Sequence, residues 1–309
     1  MFDFHAVTVD DEKLVSDILL KADRVSCEYA FANIFMWARV YHTQIAVFDN
    51  MVIVRSTDPY APDTSPYSYL YPVGNGDRVK AINEMMAETK AIGRALQIYS
   101  VSKSDKEWME ENFKDVFEFE YSRDECDYVY ASEALQNLQG KKMQKKRNHV
   151  AKFLKQNPDF VTEKITKENI SEVIAFDNKW AKLTDNVGDK GIAKEHKAVD
   201  LVLENYFKLP LEGCLIRVDE KIIAFSYGSA ISDKVFCTHV EKALYEVEGA
   251  YNIINREFAR LFCKDYLYIN REDDVGSEGL RKAKLSYKPE FLEEKYIAVL
   301  KGRKTECFV

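Results

Sequence analysis

The sequence lacks the features of a membrane-spanning or secreted protein. No stretch reaches the roughly 18 consecutive apolar residues of a membrane-spanning helix. The first residues, MFDFHAVTVDDEK, contain acids where a secretory signal would carry Lys or Arg before an apolar core. With 309 residues, 46% of them hydrophobic, the chain is long enough for about two globular domains. We therefore expect a cytoplasmic protein.

The sequence also lacks the common signatures of metal, nucleotide and hydrolase sites. None of its six cysteines forms a CxxC pair, and none of its five histidines has HxxxH spacing. We therefore expect buried reduced thiols and no metal. Neither GxxxxGK[ST] nor GxGxxG occurs, which argues against a P-loop or a Rossmann dinucleotide site. The absence of GxSxG leaves nucleophilic hydrolysis without support.

Acidic residues are absent from 134–158, in a chain whose formal net charge is −7. As a helix, this stretch would have a narrow apolar stripe opposite a lysine-rich side. One interpretation is a solvated helix that lies across the two halves of the chain. The other is a phosphate-contacting surface, because Lys and Arg gain free energy when counterions are released. The residues expected to contact phosphate or tRNA are Lys141, Lys145, Arg147 and Lys152.

The predicted element order is the same in both halves of the chain. In the second half we expect a strand at 160–166, helices at 167–183 and 195–207, a hairpin around 219–220, a strand at 234–243, a helix from 249, a strand at 266–272, a helix capped by Ser277 and a last strand at 291–301. In the first half we expect a strand at 6–11, helices at 11–22 and 30–41, a hairpin turning at 49–50, a strand at 68–74, a helix capped by Asp77, a strand at 96–102, a short helix capped by Ser104, and strands at 117–122 and 128–132. The pattern predicts a doubled α/β unit with mixed sheets, divided into an N-terminal domain (1–135), a basic connecting helix (136–158) and a C-terminal domain (159–309).

The start of the helix at Gly249 is one candidate for a phosphate site. Free backbone N–H groups and the positive end of the helix dipole attract anions, and glycine permits close approach. Glu246 and Glu248 come just before it and would repel an anion. An ordinary helix start therefore stays open as the alternative.

A polar segment follows the strand predicted at 266–272. Polar side chains at strand ends are typical of α/β sites. The acids Glu272, Asp273 and Asp274 can bind an amine or take a proton from it, and Tyr287 can donate a proton. The alternative is a loop whose acids favour the dipole of the next helix, and a metal on adjacent carboxylates is only weakly indicated.

His239 and Glu241 form a third candidate site on the strand predicted at 234–243. Alternate residues of a strand face the same side, so these two side chains are expected to lie together. They can then act as a base and its orienting partner. The alternative is a packed histidine beside a solvated glutamate.

These segments resemble a known family. The element order of the second half is that of the GNAT acyltransferase fold. The whole chain resembles the phosphatidylglycerol lysyltransferase C-terminal-domain family, a set of tandem GNAT-like proteins. The resemblance rests on YAFANIFMWARVY (29–41), GKKMQKKRNHVAKF (140–153), THVEKA (238–243), GAYNIINREFA (249–259) and NREDDVGSEGLRKAKLSYKP (270–289). The basic helix is also similar to that of Fem-type aminoacyltransferases, which use aminoacyl-tRNA.

The resemblance implies transfer of an acyl group from acyl-CoA, or of an aminoacyl group from aminoacyl-tRNA, to an amine or hydroxyl acceptor, which a lipid at an anionic membrane surface could supply. It implies that Tyr287 protonates the leaving atom and that Gly249, Ala250 and Tyr251 bind the cofactor. We further expect His239 or Glu241 to deprotonate the acceptor, and we expect Val240, Lys242, Asn270, Lys282 and Lys284 to contribute to cofactor binding. Two other hypotheses keep the fold without the chemistry. One is a nucleotide- or RNA-binding module, and the other is an adaptor whose basic helix docks an acidic protein.

Overall fold

The computed structural model describes residues 1–57, 66–184 and 190–302, and for Thr184 and Lys190 it describes the backbone alone. The helices are α1 (Glu12–Leu19), α2 (Phe31–Trp37), α3 (Arg78–Ala91), α4 (Lys103–Asn112), α5 (Ser132–Asn137), α6 (Gln144–Gln156), α7 (Ile170–Thr184), α8 (Lys190–Glu204), α9 (Ala250–Phe262) and α10 (Glu278–Leu285). The strands are β1 (His5–Ala6), β2 (Gln44–Phe48), β3 (Met51–Ser56), β4 (Tyr67–Leu70), β5 (Val73–Gly74), β6 (Leu96–Val101), β7 (Phe117–Tyr121), β8 (Asp127–Ala131), β9 (Val161–Lys164), β10 (Glu212–Val218), β11 (Lys221–Ala230), β12 (Val235–Ala243), β13 (Tyr268–Asn270), β14 (Phe291–Glu293) and β15 (Tyr296–Leu300). Within these residues, no helix combines the length and apolar character needed to cross a bilayer.

Local sequence signals account for several element boundaries. The β2–β3 hairpin turns at Asp49 and Asn50, whose φ angles of 53° and 57° suit a two-residue turn with left-handed backbone. Asp77 caps α3 and Ser277 caps α10, as predicted. The cap of α4 is Ser102 rather than the predicted Ser104, because the Ser102 hydroxyl accepts the hydrogen bond from the Asp105 N–H.

Two mixed sheets confirm the predicted α/β fold with tandem GNAT-like units. The N-terminal lobe contains an eight-stranded sheet in the order β1-β2-β3-β4-β6-β15-β7, with β5 paired to β3. The C-terminal lobe contains a seven-stranded sheet in the order β9-β10-β11-β12-β13-β8-β14. Each sheet has a parallel pair near its centre, β4 with β6 and β12 with β13, and each pair is joined through a helix. The two lobes therefore share the same arrangement of strands and helices.

The two lobes exchange one strand each. β8 comes from the first half of the chain but lies between β13 and β14 in the C-terminal sheet. β15 ends the described chain but lies between β6 and β7 in the N-terminal sheet. The single strand predicted for 291–301 is thus two strands in two sheets. The sheets do not divide the chain at 135 and 159, because each lobe is completed by a strand from the other half.

Buried charges fix the crossing points of the exchanged strands. Lys295, which separates β14 from β15, is 1% exposed and donates to the fully buried Asp127 at the start of β8 (2.8 Å). Lys295 also pairs with Glu28 (2.6 Å). Asp127 additionally accepts from the backbone N–H of Cys27 and the amide of Asn270. A buried ion pair is stable only when hydrogen bonds occupy the remaining donors and acceptors of both charged groups, as they do here.

The apolar core has two parts on opposite faces of the C-terminal sheet. One part runs from the N-terminal lobe to the α7–α8 face and includes Phe35, Val199 and Phe225. The other part lies under α5, α6 and α9 and includes Phe153 and Phe258. α2 of the N-terminal lobe packs against α8, so the α7–α8 face is also the face between the lobes.

Candidate functional site

The backbone pairing between β12 and β13 in the C-terminal sheet ends partway along β12. The parallel pairing covers only Val235–Cys237 with Tyr268–Asn270, whereas β12 continues to Ala243. We call the space between residues 238–243 and residues 271–273 the strand gap. Its edge on β12 is irregular, since Tyr227 and Gly228 of β11 pair with Val240 and Thr238. His239 is therefore the extra residue of a β-bulge, a feature that often re-aims side chains beside functional sites.

The bulge separates the two residues that the strand pattern had placed together. His239 bonds to Ser229 and Glu272, whereas Glu241 bonds to Arg271 and Asn255. The prediction that His239 and Glu241 act as a base and its partner on one face is therefore wrong. An extra residue reverses the alternation of faces along a strand, and nothing in the local sequence announces it.

A polar cluster lies on the α9 side of the strand gap. Glu241 accepts from Arg271 (2.8 Å) and from Asn255 on α9 (2.9 Å). Asn252 of α9 donates to the hydroxyl oxygen of Tyr287 (2.6 Å), and the Arg271 guanidinium lies 4.9 Å from the Tyr287 ring centroid. We call this group, with Lys146 of α6 above the Tyr287 ring, the α9-side cluster: Lys146, Glu241, Asn252, Asn255, Arg271 and Tyr287.

Two buried atoms of the α9-side cluster have no hydrogen-bond partner. They are Nη1 of Arg271, a donor, and Oδ1 of Asn255, an acceptor. The Arg271 side chain is 11% exposed and Asn255 is 3% exposed. Leaving a buried polar group unpaired costs about 1–3 kcal/mol, so such atoms are rare in native structures. Gln97 Oε1, Tyr227 Oη and Ser232 Oγ are also buried without a partner in the described residues, so the two atoms mark a site only together with the other side chains of the cluster.

Burial shifts the proton equilibria of two side chains in this cluster. It raises the pKa of Tyr287 to about 12, so the phenol stays protonated near neutral pH. Burial, with Arg271 nearby, lowers the pKa of Lys146 to about 8. Lys146 lies 3.8 Å from the Tyr287 ring centroid, a cation–π contact. The cluster thus holds a proton donor beside an amine that loses its charge more readily than a free lysine.

A second polar cluster lies on the face between the lobes. His239 contacts the Ser229 hydroxyl through Nε2 (2.8 Å) and the Glu272 carboxylate through Nδ1 (2.9 Å). The same carboxylate accepts from the Asn33 amide of the N-terminal lobe (3.2 Å) and from the Cys237 thiol (3.7 Å). We call these five residues the α2-side cluster. Arg271 and Glu272 are consecutive, so their side chains connect the two clusters across one strand end.

The predicted phosphate site at the start of α9 is covered by α6. Gly249 has a left-handed backbone (φ +84°), and a Cβ placed there would stand 2.8 Å from the backbone oxygen of His149 and 3.0 Å from Cβ of Phe153. Ala250 is 1% exposed, and the Tyr251 ring packs on Tyr245. The expected open helix start is therefore wrong, since α6 occupies the space that a pyrophosphate would need. These residues do not fit the phosphates of CoA.

Of the connecting helix predicted for 136–158, residues 144–156 form α6, whereas 136–137 belong to α5. The lysines and the arginine of this segment make different contacts. Met143, Val150 and Phe153 are buried as the apolar stripe requires. Arg147 donates to the backbone oxygens of Leu138 and Gly140, so it holds the end of α5 instead of facing a ligand.

The lysines of this segment are mostly on the surface. Lys152 pairs with Glu248. Lys141, Lys142, Lys145 and Lys155 are exposed. The exposed lysines therefore remain candidates for phosphate contact, whereas Arg147 does not.

The five other predicted cofactor residues lie in different places. Val240 is in the core, and the buried Lys242 donates to Asp177 of α7 (2.7 Å). Asn270 donates to the Val25 backbone (2.7 Å) and to Asp127. Lys284 donates to the backbone oxygens of Arg271 and Asp273, and burial lowers its pKa. Lys282 is 81% exposed on α10. The structure does not bring these five residues together.

The acids after β13 have separate roles. Burial alone would raise the pKa of Asp274, but hydrogen bonds from Arg281 and Tyr128 lower it to about 2, so this carboxylate stabilises the α10 loop. Burial raises the pKa of Asp273 to about 7. Only Glu272 of these acids joins a cluster at the strand gap.

Three groups of side chains in the described residues are close enough to hold a divalent cation: Cys237, His239 and Glu272; Cys27, Glu28 and Asp127; and Asp177, His196 and Asp200. Each group already has internal partners. Lys295 pairs with the second group, Lys242 with the third, and the His239–Glu272 hydrogen bond occupies the ligand atoms of the first.

A cavity of about 610 Å³ lies away from both clusters, in the N-terminal lobe beside Arg39, Thr43 and Arg55.

Several residues of both clusters gave little or no signal in the sequence. Lys146 was hidden among other lysines, and Ser229 lay in an ordinary strand pattern. Asn252 and Asn255 had one available signal, since amides facing the sheet from an otherwise apolar helix side are unusual. Asn33 gave no signal, because its role depends on contact between the lobes.

Comparisons with known proteins agree with this architecture. Residues 21–299 match the family described as "Phosphatidylglycerol lysyltransferase, C-terminal". A conserved protein of unknown function from Bacteroides thetaiotaomicron VPI-5482 is 35% identical, with a TM-score of 0.92 over 97% of this chain and 100% of that chain. The C-terminal domain assigned to a lysylphosphatidylglycerol synthetase of Agrobacterium fabrum is 14% identical, with a TM-score of 0.67 over 95% of this chain and 92% of that chain.

An uncharacterized protein of Mycoplasmoides gallisepticum is 25% identical over 209 residues, which span 66% of this chain and 65% of that protein. The fold is that of GNAT-like proteins. The chain belongs to the phosphatidylglycerol lysyltransferase C-terminal-domain family.

Proposed function

We propose that the protein transfers an aminoacyl group from aminoacyl-tRNA to an amine or hydroxyl acceptor at the strand gap. The observation that carries this proposal is the pair of unpartnered buried atoms, Arg271 Nη1 and Asn255 Oδ1. An aminoacyl ester offers a carbonyl oxygen that accepts a hydrogen bond and an α-ammonium group that donates one. A simple acyl group offers the carbonyl alone, so it would leave Asn255 Oδ1 unpaired.

The residues of the α9-side cluster have complementary roles in this reaction. The acceptor atom bonds to the ester carbonyl carbon, and the bond from that carbon to the ribose oxygen breaks. Arg271 Nη1 stabilises the negative charge that develops on the carbonyl oxygen. Tyr287 gives its proton to the leaving ribose oxygen, since its hydroxyl accepts from Asn252 and, in the described part of the chain, its own proton has no acceptor. Glu241 holds Arg271 and Asn255 in place.

The donor approaches from the α6 side. Exposed lysines of the basic segment lie on the helix that contributes Lys146 to the cluster, so tRNA phosphates and the reacting ester can be held together. Holding two reactants in the right geometry contributes up to about 7–11 kcal/mol in favourable cases. The covered start of α9 supports tRNA over acyl-CoA, because the CoA phosphates have no comparable place there.

The experiment compares donors directly. The protein is incubated with total tRNA charged with radioactive amino acids, or with radioactive acetyl-CoA, and with simple amine and hydroxyl acceptors. We expect product from charged tRNA and none from acetyl-CoA. Tyr287→Phe should lower kcat about 100-fold or more, within the usual range for loss of a general acid. Tight tRNA binding without product would instead support a binding module, and preferential acetyl transfer would contradict the proposal.

A further inference from the structure

We propose that Glu272 is the base that removes the acceptor's proton, and that the acceptor is an amine bound on the α2 side of the strand gap. This inference rests on the proposed transferase function. It assigns the two faces of the gap to the two substrates, with the phosphate-bearing donor on the lysine-rich α9 side and the amine on the face between the lobes.

The backbone at Glu272 is held in an uncommon conformation. Its φ angle is +55°, in the left-handed region that non-glycine residues rarely adopt. Such a conformation costs about 1–3 kcal/mol and persists only where surrounding contacts enforce it. The Glu272 N–H donates to Asn270 Oδ1 (2.6 Å), and its carbonyl accepts from the Tyr128 N–H (3.1 Å). The chain thus turns sharply where β13 ends and directs Glu272 away from Arg271.

The carboxylate of Glu272 has one fixed oxygen and one available oxygen. Oε1 accepts from His239 (2.9 Å), from Asn33 (3.2 Å) and from the Cys237 thiol (3.7 Å). In the residues that the structure describes, no hydrogen bond reaches Oε2, and the side chain is 21% exposed. A base needs this arrangement, because one oxygen sets the orientation and the other meets the substrate's proton.

His239 positions Glu272 and does not meet the substrate itself. Its side chain is fully buried, and both ring nitrogens are engaged, one by Glu272 and the other by Ser229 (2.8 Å). Cys237 and His239 lie two residues apart on β12, and both contact Glu272. Asn33 supplies the third fixed contact from α2, so the base is assembled by both lobes. The N-terminal lobe therefore contributes directly to the site.

The free oxygen of Glu272 favours a cationic acceptor. An alkylammonium group can donate a hydrogen bond to Oε2 of this partly exposed carboxylate, and it becomes a nucleophile when it loses a proton. The phosphate of an acceptor would be repelled by the same carboxylate.

The test uses charged tRNA as donor and glycinamide as acceptor, with Glu272→Gln and, as a matched control, the exposed Glu278→Gln on α10. Glutamine keeps the size of the side chain and an oxygen for His239. We expect kcat to fall about 10²–10⁴-fold in Glu272→Gln, with the KM for tRNA unchanged. The control should match wild type. Hydroxylamine, which is neutral at the assay pH, should restore transfer in Glu272→Gln after subtraction of the rate without protein.

Each outcome decides between the proposals. If wild type transfers to no acceptor, the proposed function itself fails. If wild type transfers to glycinamide and Glu272→Gln does so equally fast, or if hydroxylamine gives no recovery, the assignment of Glu272 as base is overturned. Glycerol accepted faster than glycinamide would overturn the amine class. Should Glu272→Gln not fold, Asn33→Ala provides the comparison, with kcat about 10-fold lower at unchanged KM because one orienting hydrogen bond is lost.

Discussion

Replacing Lys295 by methionine tests the strand exchange that joins the two lobes. Lys295 is 1% exposed and contacts Asp127 (2.8 Å) and Glu28 (2.6 Å), of which Asp127 is fully buried. Methionine preserves the apolar stem and removes the charge, so two carboxylates lose their partner. Removing one member of a buried ion pair destabilises a protein by about 3–5 kcal/mol. Since whole-protein stability is about 5–15 kcal/mol, we expect a large fall in the urea midpoint.

The control for this prediction is Lys301→Met at the other end of β15. Lys301 pairs with Asp115 (3.0 Å) at the surface, where both side chains are at least 41% exposed. Exposed pairs contribute about 0–1 kcal/mol, so this variant should unfold close to wild type. Adding Asp127→Asn to Lys295→Met should recover part of the loss, because it removes one unpaired charge. If equilibrium urea unfolding shows no larger loss of stability for Lys295→Met than for Lys301→Met, the buried ion pair does not stabilise the strand exchange.

Three further predictions concern α6 and α9. Gly249→Ala should lower the free energy of unfolding in urea by at least about 1–2 kcal/mol, because the left-handed backbone disfavours alanine and the new methyl group contacts α6. Gly93 has a left-handed backbone with open space around it, so Gly93→Ala should lose only the backbone contribution. Equal losses for the two variants would contradict the tight packing at Gly249. The double variant Lys141→Ala, Lys145→Ala should bind tRNA more weakly. It should also reduce the slope of log affinity against log salt concentration by about 0.7–0.9 per lost phosphate contact. An unchanged slope in filter-binding measurements would exclude these lysines from the interface. In the folded protein the pKa of Lys146 is about 8, below its ordinary 10.5. Between these two pH values the unfolded chain binds more protons than the folded protein, so the free energy of unfolding should rise with pH. Lys146→Met should lack this rise when unfolding is measured as a function of pH.

The element order and many boundaries followed from the sequence because they depend on local signals. Hydrophobic periodicity predicted α6, in which Val150 and Phe153 are buried. Turn chemistry predicted the hairpin at 49–50, and hydroxyl or carboxylate caps predicted two helix starts. These features involve residues within a few positions of one another, so the neighbouring sequence determines them.

The strand exchange could not be predicted in the same way. β8 and β15 are short apolar strands, and either would fit beside its own half of the chain or the other. Their placement is decided by contacts far apart in sequence, such as Lys295 with Asp127. The polarity pattern of one strand carries no information about which sheet it joins.

The candidate site was predicted in part, for similar reasons. Tyr287 and Glu272 were singled out because polar groups at strand ends are typical of α/β sites, and both lie at the strand gap. Gly249 was misjudged, because the sequence cannot show that α6 packs on it. Arg147 was misjudged because its guanidinium could serve a ligand or backbone oxygens equally well, and the geometry of the α5 end decides. The contact of Asn33 with Glu272 could not be predicted from local patterns, because it depends on how the two lobes pack.

In the proposed function, the α9-side cluster binds both the carbonyl and the α-ammonium group of an aminoacyl ester. The most direct measurement is the single-turnover rate of transfer from aminoacyl-tRNA compared with N-acetyl-aminoacyl-tRNA, in which the ammonium group is blocked. A hydrogen bond to a charged group contributes about 1.5–3 kcal/mol, so the blocked donor should react roughly 10- to 150-fold more slowly. Equal rates for the two donors would contradict the claim.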